Sequence, residues 1–272
     1  MKKLLAITAL SAALFFGQTA AAEEKAAEEV KPSHVEMVLV LDESGSMSNL
    51  TNDTIGGFNS MIEKEKKLDV DAHVTTVLFN DQYKMLYNRR ELKDVRKMTD
   101  KDYTPGGMTA LLDAVGRTIH KMDMVSGIHR KDKGNKVLFV IITDGEENDS
   151  KEYTYADVKK LIKDRQENAG WEFIFLGANI DAAAEAENLG IDRDRAVKYK
   201  NTGSGVRANF KAVAELSDSL AKSGRVSDEW KSQVEEDTDE NVMAAPADTK
   251  EHAAPPAKPM KKHLVSKVRK AK

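Results

Sequence analysis

The fold is decided by a run of branched apolar residues that ends in an acid, Met37-Val38-Leu39-Val40-Leu41-Asp42-Glu43-Ser44-Gly45-Ser46. The apolar part predicts a short strand that is buried on both faces, as in a parallel sheet covered by helices. Sheets of this kind present their ligand-binding groups just beyond the carboxyl ends of the strands. We therefore expect Asp42, Ser44 and Ser46 to lie where a ligand binds.

The same pattern returns in Lys136-Val137-Leu138-Phe139-Val140-Ile141-Ile142-Thr143-Asp144-Gly145, another apolar run that ends in an acid. If the two predicted strands are neighbours, Asp42 and Asp144 converge on one site. Between them lies Thr104-Pro105-Gly106-Gly107-Met108-Thr109, a tight loop that contains Pro and Gly. We expect Thr109 to open an amphipathic helix and to offer its hydroxyl to the same site.

The candidate ligands share one chemistry. Oxygen is the only donor atom that the side chains of Asp42, Ser44, Ser46, Thr109 and Asp144 offer. Oxygen donors suit Mg²⁺ or Mn²⁺ and do not favour zinc. The two carboxylates balance one divalent cation, and the hydroxyls add no charge. Because Mg²⁺ takes about six oxygens, there is room for an outside ligand, and an Asp or Glu carboxylate of a protein partner suits it best.

These residues resemble the metal-ion-dependent adhesion site (MIDAS) of von Willebrand factor type A (VWA) domains. The resemblance rests on Asp-x-Ser-x-Ser at 42–46, on Thr109 after the Gly pair, and on Asp144 in Thr-Asp-Gly, all in matching order and spacing. It extends over residues 34–224. It implies direct metal contacts from the three hydroxyls in the ligand-bound state, and contacts mostly through bound waters from the two carboxylates. In some relatives it also implies a shift of the helix behind the threonine.

Three loops would surround the metal ion and form a docking surface for the partner, at 45–51, 104–109 and 145–150. The acidic loop after Asp144 would tune the electrostatic field of the site. We expect the rim that meets the ligand to consist of Glu43, Gly45, Met47, Gly107, Met108, Gly145 and Glu146.

Strands and helices alternate regularly along the rest of the chain. The stretch from Val70 to Tyr87 contains Asn80-Asp81 between two strand-like segments, which predicts a hairpin and one antiparallel edge strand. The remaining alternation predicts an α/β fold with a doubly wound, mostly parallel central sheet and helices on both faces, Rossmann-like and of the VWA type. Gly56-Gly57 weakens the first turn of the first predicted helix, either to let backbone approach the site or to allow close packing.

Residues 1–22 have the features of a secretory signal peptide, with Lys2 and Lys3, a short apolar segment, and Ala20-Ala21-Ala22 as a cleavage site. An uncleaved membrane anchor is the alternative, although the segment is short for a membrane span. Residues 23–33 form a charged linker. The absence of cysteine fits an exported protein, periplasmic or extracellular, that needs no oxidative folding. After signal cleavage we expect no transmembrane segment.

Residues 225–272 change in character, from an acidic cluster to an Ala- and Pro-rich stretch and then to a basic end from Lys258 to Lys272. This composition predicts disorder, because it cannot bury enough apolar surface. The basic end could contact an anionic envelope surface or could simply be solvated. The whole chain has 42 Lys and Arg against 45 Asp and Glu, and its net charge of −3 gives no attraction to nucleic acid.

The sequence favours a metal-dependent protein-binding module over two other classes. A Mg²⁺-dependent phosphoryl-transfer hydrolase would also place Asp42 after a strand, but it needs a second acid where Ser44 stands. The sequence lacks the phosphate-loop, dinucleotide-binding and serine-hydrolase motifs, and we expect no enzyme activity. A structural sheet protein whose polar strand ends bind no metal is the third class, and calorimetric titration with Mg²⁺ separates it from the first.

Overall fold

The structure is a computed structural model that describes residues 34–68, 70–125, 135–232 and 234–235. The predicted signal peptide at 1–22, the predicted linker at 23–33 and the chain after residue 235 lie outside the described residues. None of the helices in the described part of the chain has the length and apolar character that crossing a membrane requires.

The described residues form alternating strands and helices. The strands are β1 (His34–Asp42), β2 (Ala72–Phe79), β3 (Tyr83–Glu91), β4 (Asn135–Thr143), β5 (Glu172–Gly177) and β6 (Ala196–Lys198). The α-helices are α1 (Thr51–Lys67), α2 (Leu111–Asp123), α3 (Tyr155–Asp164), α4 (Ala182–Leu189) and α5 (Gly203–Ser223). Short 3₁₀ helices occupy Gly45–Leu50, Leu92–Asp94, Arg193–Arg195 and Asp228–Lys231, and a π-helical turn, Arg165–Ala169, follows α3.

One sheet contains the six strands of the described residues, in the order β3-β2-β1-β4-β5-β6. Strand β1 lies inside the sheet and is parallel to both of its neighbours, and only β3, at one edge, is antiparallel to the strand beside it. The predicted doubly wound, mostly parallel sheet with one antiparallel edge strand is therefore confirmed. Every residue of β1 from Val35 to Asp42 is buried, as expected for a strand that is covered on both faces.

Helices cover both faces of the sheet, and each face has its own hydrophobic core. Because successive side chains of a strand point to opposite faces, β1 contributes to both cores. Its Met37 and Leu39 lie in the core that α1 and α5 cover, and its Val38 and Val40 lie in the core that α2, α3 and α4 cover. The unbroken apolar run of β1 therefore packs against helices on both faces of the sheet.

Helices α1 and α5 approach each other closely at Gly57. A Cβ atom on Gly57 would lie 2.4 Å from Cδ2 of Phe210, so a larger residue would force the two helices apart. A Cβ atom on Gly56 would meet no other atom within 4 Å. Close packing, the second of the two explanations for this glycine pair, therefore accounts for Gly57.

The hydrophobic core continues past the end of α5. Trp230 and Val234 are buried in the core that α1 and α5 cover. The composition of residues 225–272 predicts a disordered tail, because it contains too little apolar surface to bury. The folded structure instead extends to Glu235, which lines a cavity of about 530 Å³ together with Asn201.

Local capping signals in the sequence hold in the structure. The Asp181 side chain accepts a hydrogen bond from the Ala184 amide at 3.1 Å and caps α4. Gly190 ends the same helix in the left-handed region, with φ of 87°, which glycine adopts without strain. Helix α3 begins with a capping box formed by Thr154 and Asp157. Side-chain caps therefore fix where these two helices start.

A carboxylic acid is buried between α1 and α5. Glu65 has no exposed surface, and its Oε2 accepts a hydrogen bond from the Ser217 hydroxyl at 2.8 Å. Its Oε1 has no hydrogen-bond partner among the described residues. Burial, opposed by the hydrogen bond from Ser217, raises the pKa of Glu65 to about 7.

We expect the Glu65→Gln variant to be more stable than the wild type at about pH 8, by about 3 kcal/mol, and equally stable at about pH 4. The folded protein releases this proton at about 7 and the unfolded chain at 4.5. The contribution of Glu65 to stability is therefore fully present below 4.5 and is lost as the pH rises through 7. Urea unfolding of both proteins at the two pH values measures the difference.

Glu63→Gln is the matched control, because Glu63 lies on the same helix with 47 % of its side chain exposed. Because it removes an exposed carboxylate, its effect on stability should be much smaller than that of Glu65→Gln at about pH 8. A difference for Glu65→Gln that is the same at both pH values would contradict the raised pKa.

Candidate metal centre

The two strand-end acids meet because β1 and β4 are neighbours in the sheet. Parallel pairing places Leu41 opposite Ile142, so Asp42, which ends β1, and Asp144, which directly follows β4, lie at the same edge. Asp42 and Asp144 are both buried, with 1 % of their surface exposed. The convergence of these two acids that the sequence predicts is therefore present in the fold.

Neutral donors hold Asp42 in place. Its Oδ1 accepts a hydrogen bond from the Ser44 amide at 2.7 Å, and its Oδ2 accepts one from the Thr143 hydroxyl at 2.6 Å. The Tyr103 hydroxyl donates to the carbonyl oxygen of Asp42 at 2.6 Å. Both carboxylate oxygens are thus fixed in position without a charged partner.

A series of hydrogen bonds links the two serines to Asp144. The hydroxyl oxygens of Ser44 and Ser46 lie 3.0 Å apart, and Ser46 Oγ donates to Asp144 Oδ1 at 2.5 Å. The Asn201 side-chain amide donates to Asp144 Oδ2 at 3.2 Å. Ser44 and Asp144 are buried and Ser46 is exposed. The polar groups therefore run from the interior to the surface at this edge.

The hydroxyls of Thr109 and Ser46 both lie close to Gly145. A Cβ atom placed on Gly145 would lie 3.9 Å from Thr109 Oγ1 and 4.0 Å from Ser46 Oγ. All five predicted ligands are therefore brought to one edge of the sheet. Thr109 itself is buried and lies before α2, which begins at Leu111. The prediction that Thr109 opens this helix is wrong, because its backbone is bound to a neighbouring loop instead.

The loop after β4 fixes Thr109 and caps α2. The Thr109 amide donates to Asn148 Oδ1 at 2.9 Å, and the Thr109 carbonyl accepts from the Asn148 amide at 3.0 Å. Ala110, at the start of α2, has no side chain that can cap the helix. Glu147 Oε2 takes over this role and accepts a hydrogen bond from the Leu112 amide at 2.9 Å. The start of α2 and the loop after β4 therefore form one unit.

Much of the predicted rim faces solvent. Gly45, Gly107, Met108 and Glu146 are exposed, and Met108 presents 51 % of its surface to solvent. Gly145 is half-buried. These residues belong to the three loops that surround the strand-end acids, so a partner that approaches this edge meets them first.

Two predicted rim residues, Glu43 and Met47, do not face solvent, and their assignment to the rim is wrong. Glu43 is buried, and its Oε1 accepts hydrogen bonds from the Lys84 ammonium at 2.9 Å and from the Thr104 amide at 2.5 Å. It therefore ties the end of β1 to β3 and to the Gly-rich loop. Met47 is buried in the core on the α1 side, because the 3₁₀ turn after Ser44 directs it inward.

The site holds two buried acids without a basic partner among the described residues. Among the described residues, no Lys, Arg or His side chain pairs with Asp42 or Asp144, and every donor to their carboxylates is neutral. Burial raises the pKa of Asp42, hydrogen bonds from Ser44 and Thr143 oppose the rise, and the charge of Asp144 adds to it. Buried carboxylates are normally paired or bound to a metal. The oxygen donors and the missing positive charge fit Mg²⁺ or Mn²⁺.

Three residues that shape the site were not predicted as site residues from the sequence. They are Thr143 and Tyr103, which bind Asp42, and Asn201, which binds Asp144. Thr143 carried a signal, because it directly precedes Asp144 and a parallel neighbour would bring it level with Asp42. The other two come from distant loops, and no local pattern indicates their contacts.

The mostly parallel sheet, its antiparallel edge strand and the covering helices are those of a von Willebrand factor type A domain. More specifically, the chain belongs to the VWA family described as "vWA found in TerF C terminus", whose model matches residues 34–190. The family resemblance that the sequence indicates is thereby confirmed. No curated protein matches the chain significantly in sequence.

Solved structures share this fold at low sequence identity. The pilus adhesin SpaC from Lactobacillus rhamnosus GG, in its open conformation, has a TM-score of 0.55 and 14 % identity, over 71 % of this chain and 31 % of the adhesin. The vWF domain of the type V pili tip protein Mfa5 from Porphyromonas gingivalis has a TM-score of 0.50 and 12 % identity, over 72 % of this chain and 99 % of that domain. The chain thus spans about a third of SpaC, and the similarity is one of fold.

We expect the Thr143→Val variant to lose about 1–3 kcal/mol of unfolding free energy at neutral pH. Oδ2 of Asp42 would remain buried but would lose the hydroxyl that donates to it. Valine has nearly the shape of threonine, so the packing of β4 changes little. Urea unfolding in the presence of a chelator measures the loss.

Thr76→Val is the matched control for this change. Thr76 is buried in β2, and its hydroxyl has no hydrogen-bond partner among the described residues. Replacing that hydroxyl by a methyl group should leave the stability unchanged or raise it. Equal losses in the two variants would show that the hydrogen bond from Thr143 to Asp42 does not stabilise the fold.

Proposed function

We propose that this chain is a protein-binding module of the adhesion or assembly type, and that its binding depends on a divalent metal ion held at the edge where Asp42 and Asp144 lie. One observation carries the proposal. Two buried carboxylates are held side by side by neutral donors, and no basic side chain of the described residues neutralises them. A divalent cation would supply the missing charge.

The oxygen-bearing side chains divide into two groups in this proposal. The hydroxyls of Ser44, Ser46 and Thr109 contact the metal directly, while Asp42 and Asp144 act mostly through bound waters. The groups that touch the ion are then neutral, so the bound ion retains a strong attraction for an anionic oxygen. Mg²⁺ and Mn²⁺ both accept this set of donors. Thr143 and Asn201 keep the two carboxylates oriented.

The partner is a protein that presents an Asp or Glu carboxylate to the metal ion. The exposed rim supports this mode of binding. Gly45 and Gly107 present exposed backbone to an approaching group. Met108 is flexible, apolar and exposed, which suits contact with a partner surface. Glu146 would disfavour partners that carry further acids around the coordinating one.

The adhesion or assembly class is supported by the solved structures with this fold. One is described as a pilus adhesin and another as a pilus tip protein. We place this chain in the periplasm or outside the cell on the basis of the predicted signal peptide at 1–22. The basic end from Lys258 to Lys272 would contact an anionic envelope surface. A net charge of −3 gives no reason to propose a nucleic-acid partner.

Phosphoryl transfer is not proposed for this site. Ser44 stands two residues after Asp42, where a hydrolase of that type needs its second acid. Both oxygens of Asp42 also accept hydrogen bonds from the chain itself. Asp42 is therefore arranged to be held still and not to attack a substrate.

We expect Asp42→Ala to abolish the binding of Mg²⁺ and Mn²⁺ and, with it, the metal-dependent capture of the partner. One of the two charges that attract the ion would be lost, while the surrounding strands keep their backbone pairing. Calorimetric titration of the full chain with each metal measures the first effect. A pull-down from cell-envelope extract, in Mg²⁺ and in chelator, measures the second.

Asp100→Ala is the control, because Asp100 is an exposed acid in another loop. It should bind metal and partner as the wild type does. Partner capture that persists in chelator would refute the metal-dependent mode of binding. Undiminished titration heat in Asp42→Ala would place the metal site elsewhere.

We expect Thr109→Ala to weaken partner binding more than metal binding, because Thr109 contacts the metal directly in the ligand-bound state. The same two measurements, titration with Mg²⁺ and capture in Mg²⁺, separate the effects. Thr109→Ser retains the hydroxyl and should restore partner binding. An equal loss of both kinds of binding in Thr109→Ala would show that Thr109 has no special part in the ligand-bound state.

A further inference from the structure

A second group of potential metal ligands lies at the amino-terminal ends of β1 and β2, on the side of the sheet opposite to the strand-end acids. Strand pairing places Glu36 of β1 directly beside His73 of β2. His34, two residues before Glu36, is on the same face of β1 because side chains alternate along a strand. Asp42 lies eight residue steps after His34 along β1, about 26 Å away, so this cluster is distinct from the site described above.

Three potential ligand atoms face one another in this cluster. His34 Nε2 lies 2.8 Å from His73 Nδ1 and 3.3 Å from Glu36 Oε1, and His73 Nδ1 lies 3.4 Å from Glu36 Oε1. In a tetrahedral zinc site, neighbouring ligand atoms are about 3.3 Å apart. Two sides of this triangle already have that length, and the third needs to open by about 0.5 Å.

Asp71 prepares His34 to act as a ligand. Its Oδ1 lies 3.0 Å from His34 Nδ1. An ionised carboxylate can only accept a hydrogen bond, so His34 carries a proton on Nδ1, and in the neutral ring Nε2 is the nitrogen left to bind a metal. A carboxylate behind a histidine is the usual support of a zinc ligand, since it fixes the tautomer and makes the ring more basic.

Arg89 orients Glu36. Its Nε lies 3.0 Å from Glu36 Oε2 and 3.1 Å from Oε1, and its Nη2 contacts Oε1 at 2.5 Å and lies 3.4 Å from His73 Nδ1. Arg89 reaches this position from an irregular part of β3, with an uncommon φ of 47°. The carboxylate is therefore held in one orientation from the side of β3.

The cluster is accessible from solvent. His34 and His73 keep 18 % and 27 % of their side chains exposed, whereas Glu36 is buried beneath them. A cavity of about 470 Å³ lies over the two histidines and is also lined by Asp71. A metal ion can enter by this route, and a further ligand can reach the ion from the cavity.

We propose that His34, Glu36 and His73 form a binding site for Zn²⁺ or a chemically similar ion such as Co²⁺, with a fourth position open to the cavity. Two imidazoles and one carboxylate suit these ions, whereas the oxygen-only edge at Asp42 suits Mg²⁺. The chain would then hold two different metals at opposite edges of one sheet. This second site does not depend on the proposed function of the first.

Co²⁺ is the probe for this site, because its visible absorption reports nitrogen ligands and a low coordination number. The full chain is freed of metal with a chelator, kept in excess Mg²⁺ to fill the oxygen site, and titrated with Co²⁺ at about pH 8, because metal ligands must be deprotonated to bind. We expect a saturable absorption band at one Co²⁺ per chain. Zn²⁺ should displace it, and metal binding should raise the melting temperature.

Variants separate this site from other metal ligands in the chain. His34→Ala and His73→Gln should each lose the band, and Asp71→Asn should weaken Co²⁺ binding by about 10–100-fold. His120→Gln is the matched control and should bind as the wild type does, because His120 lies apart on α2, beside Tyr153. Asp42→Ala should also keep the band.

Circular dichroism in chelator verifies that each variant is folded, which the partial exposure of both histidines favours. If His34→Ala does not fold, His34→Gln replaces it. The absence of a saturable band in the wild type, or a band that survives the loss of both histidines, would overturn the proposal. In either case His34, Glu36 and His73 would form a polar cluster that binds no metal.

Discussion

Electrostatic repulsion between two buried carboxylates is the constraint on which the candidate metal centre depends. Strand pairing leaves Asp42 and Asp144 no freedom to separate, and burial denies them the screening that water would provide. Thr143 donates a hydrogen bond to Asp42, and Ser46 and Asn201 donate to Asp144, so the acids are oriented by groups that add no charge. These hydrogen bonds fix both acids, and the described residues place no basic side chain beside them.

The loops around the acids are held by one another more than by their own helices and strands. Glu147 caps α2 from the loop after β4, and Asn148 binds both backbone groups of Thr109. Glu43 likewise joins the end of β1 to Lys84 and to Thr104. Any movement of Thr109 toward a ligand would therefore carry the loop after β4 with it. The loops around the two acids would therefore shift together and not one at a time.

The apolar runs and their periodicity predict most of the fold, because strand burial and helix amphipathicity are local properties of the sequence. The five oxygen-bearing residues were found in the same way, since each follows a strand or precedes a helix, and their metal binding stays a prediction. What local pattern could not indicate is which distant groups pair. The cap that Glu147 provides, the inward turn of Met47 and the burial of Trp230 all depend on the three-dimensional placement of neighbours that are remote along the chain.

The folded segment after α5 determines where the rest of the chain begins. Its Trp230 is buried in the core that α1 and α5 cover, and its Glu235 lines a cavity together with Asn201, which itself binds Asp144. The residues that follow Glu235 in sequence are therefore joined to the folded domain at a point that shares this cavity with Asn201. Tethering fixes an effective local concentration that depends on the number of intervening residues and not on the amount of protein in solution. A partner bound by the residues after Glu235 would therefore have a raised local concentration at the strand-end acids.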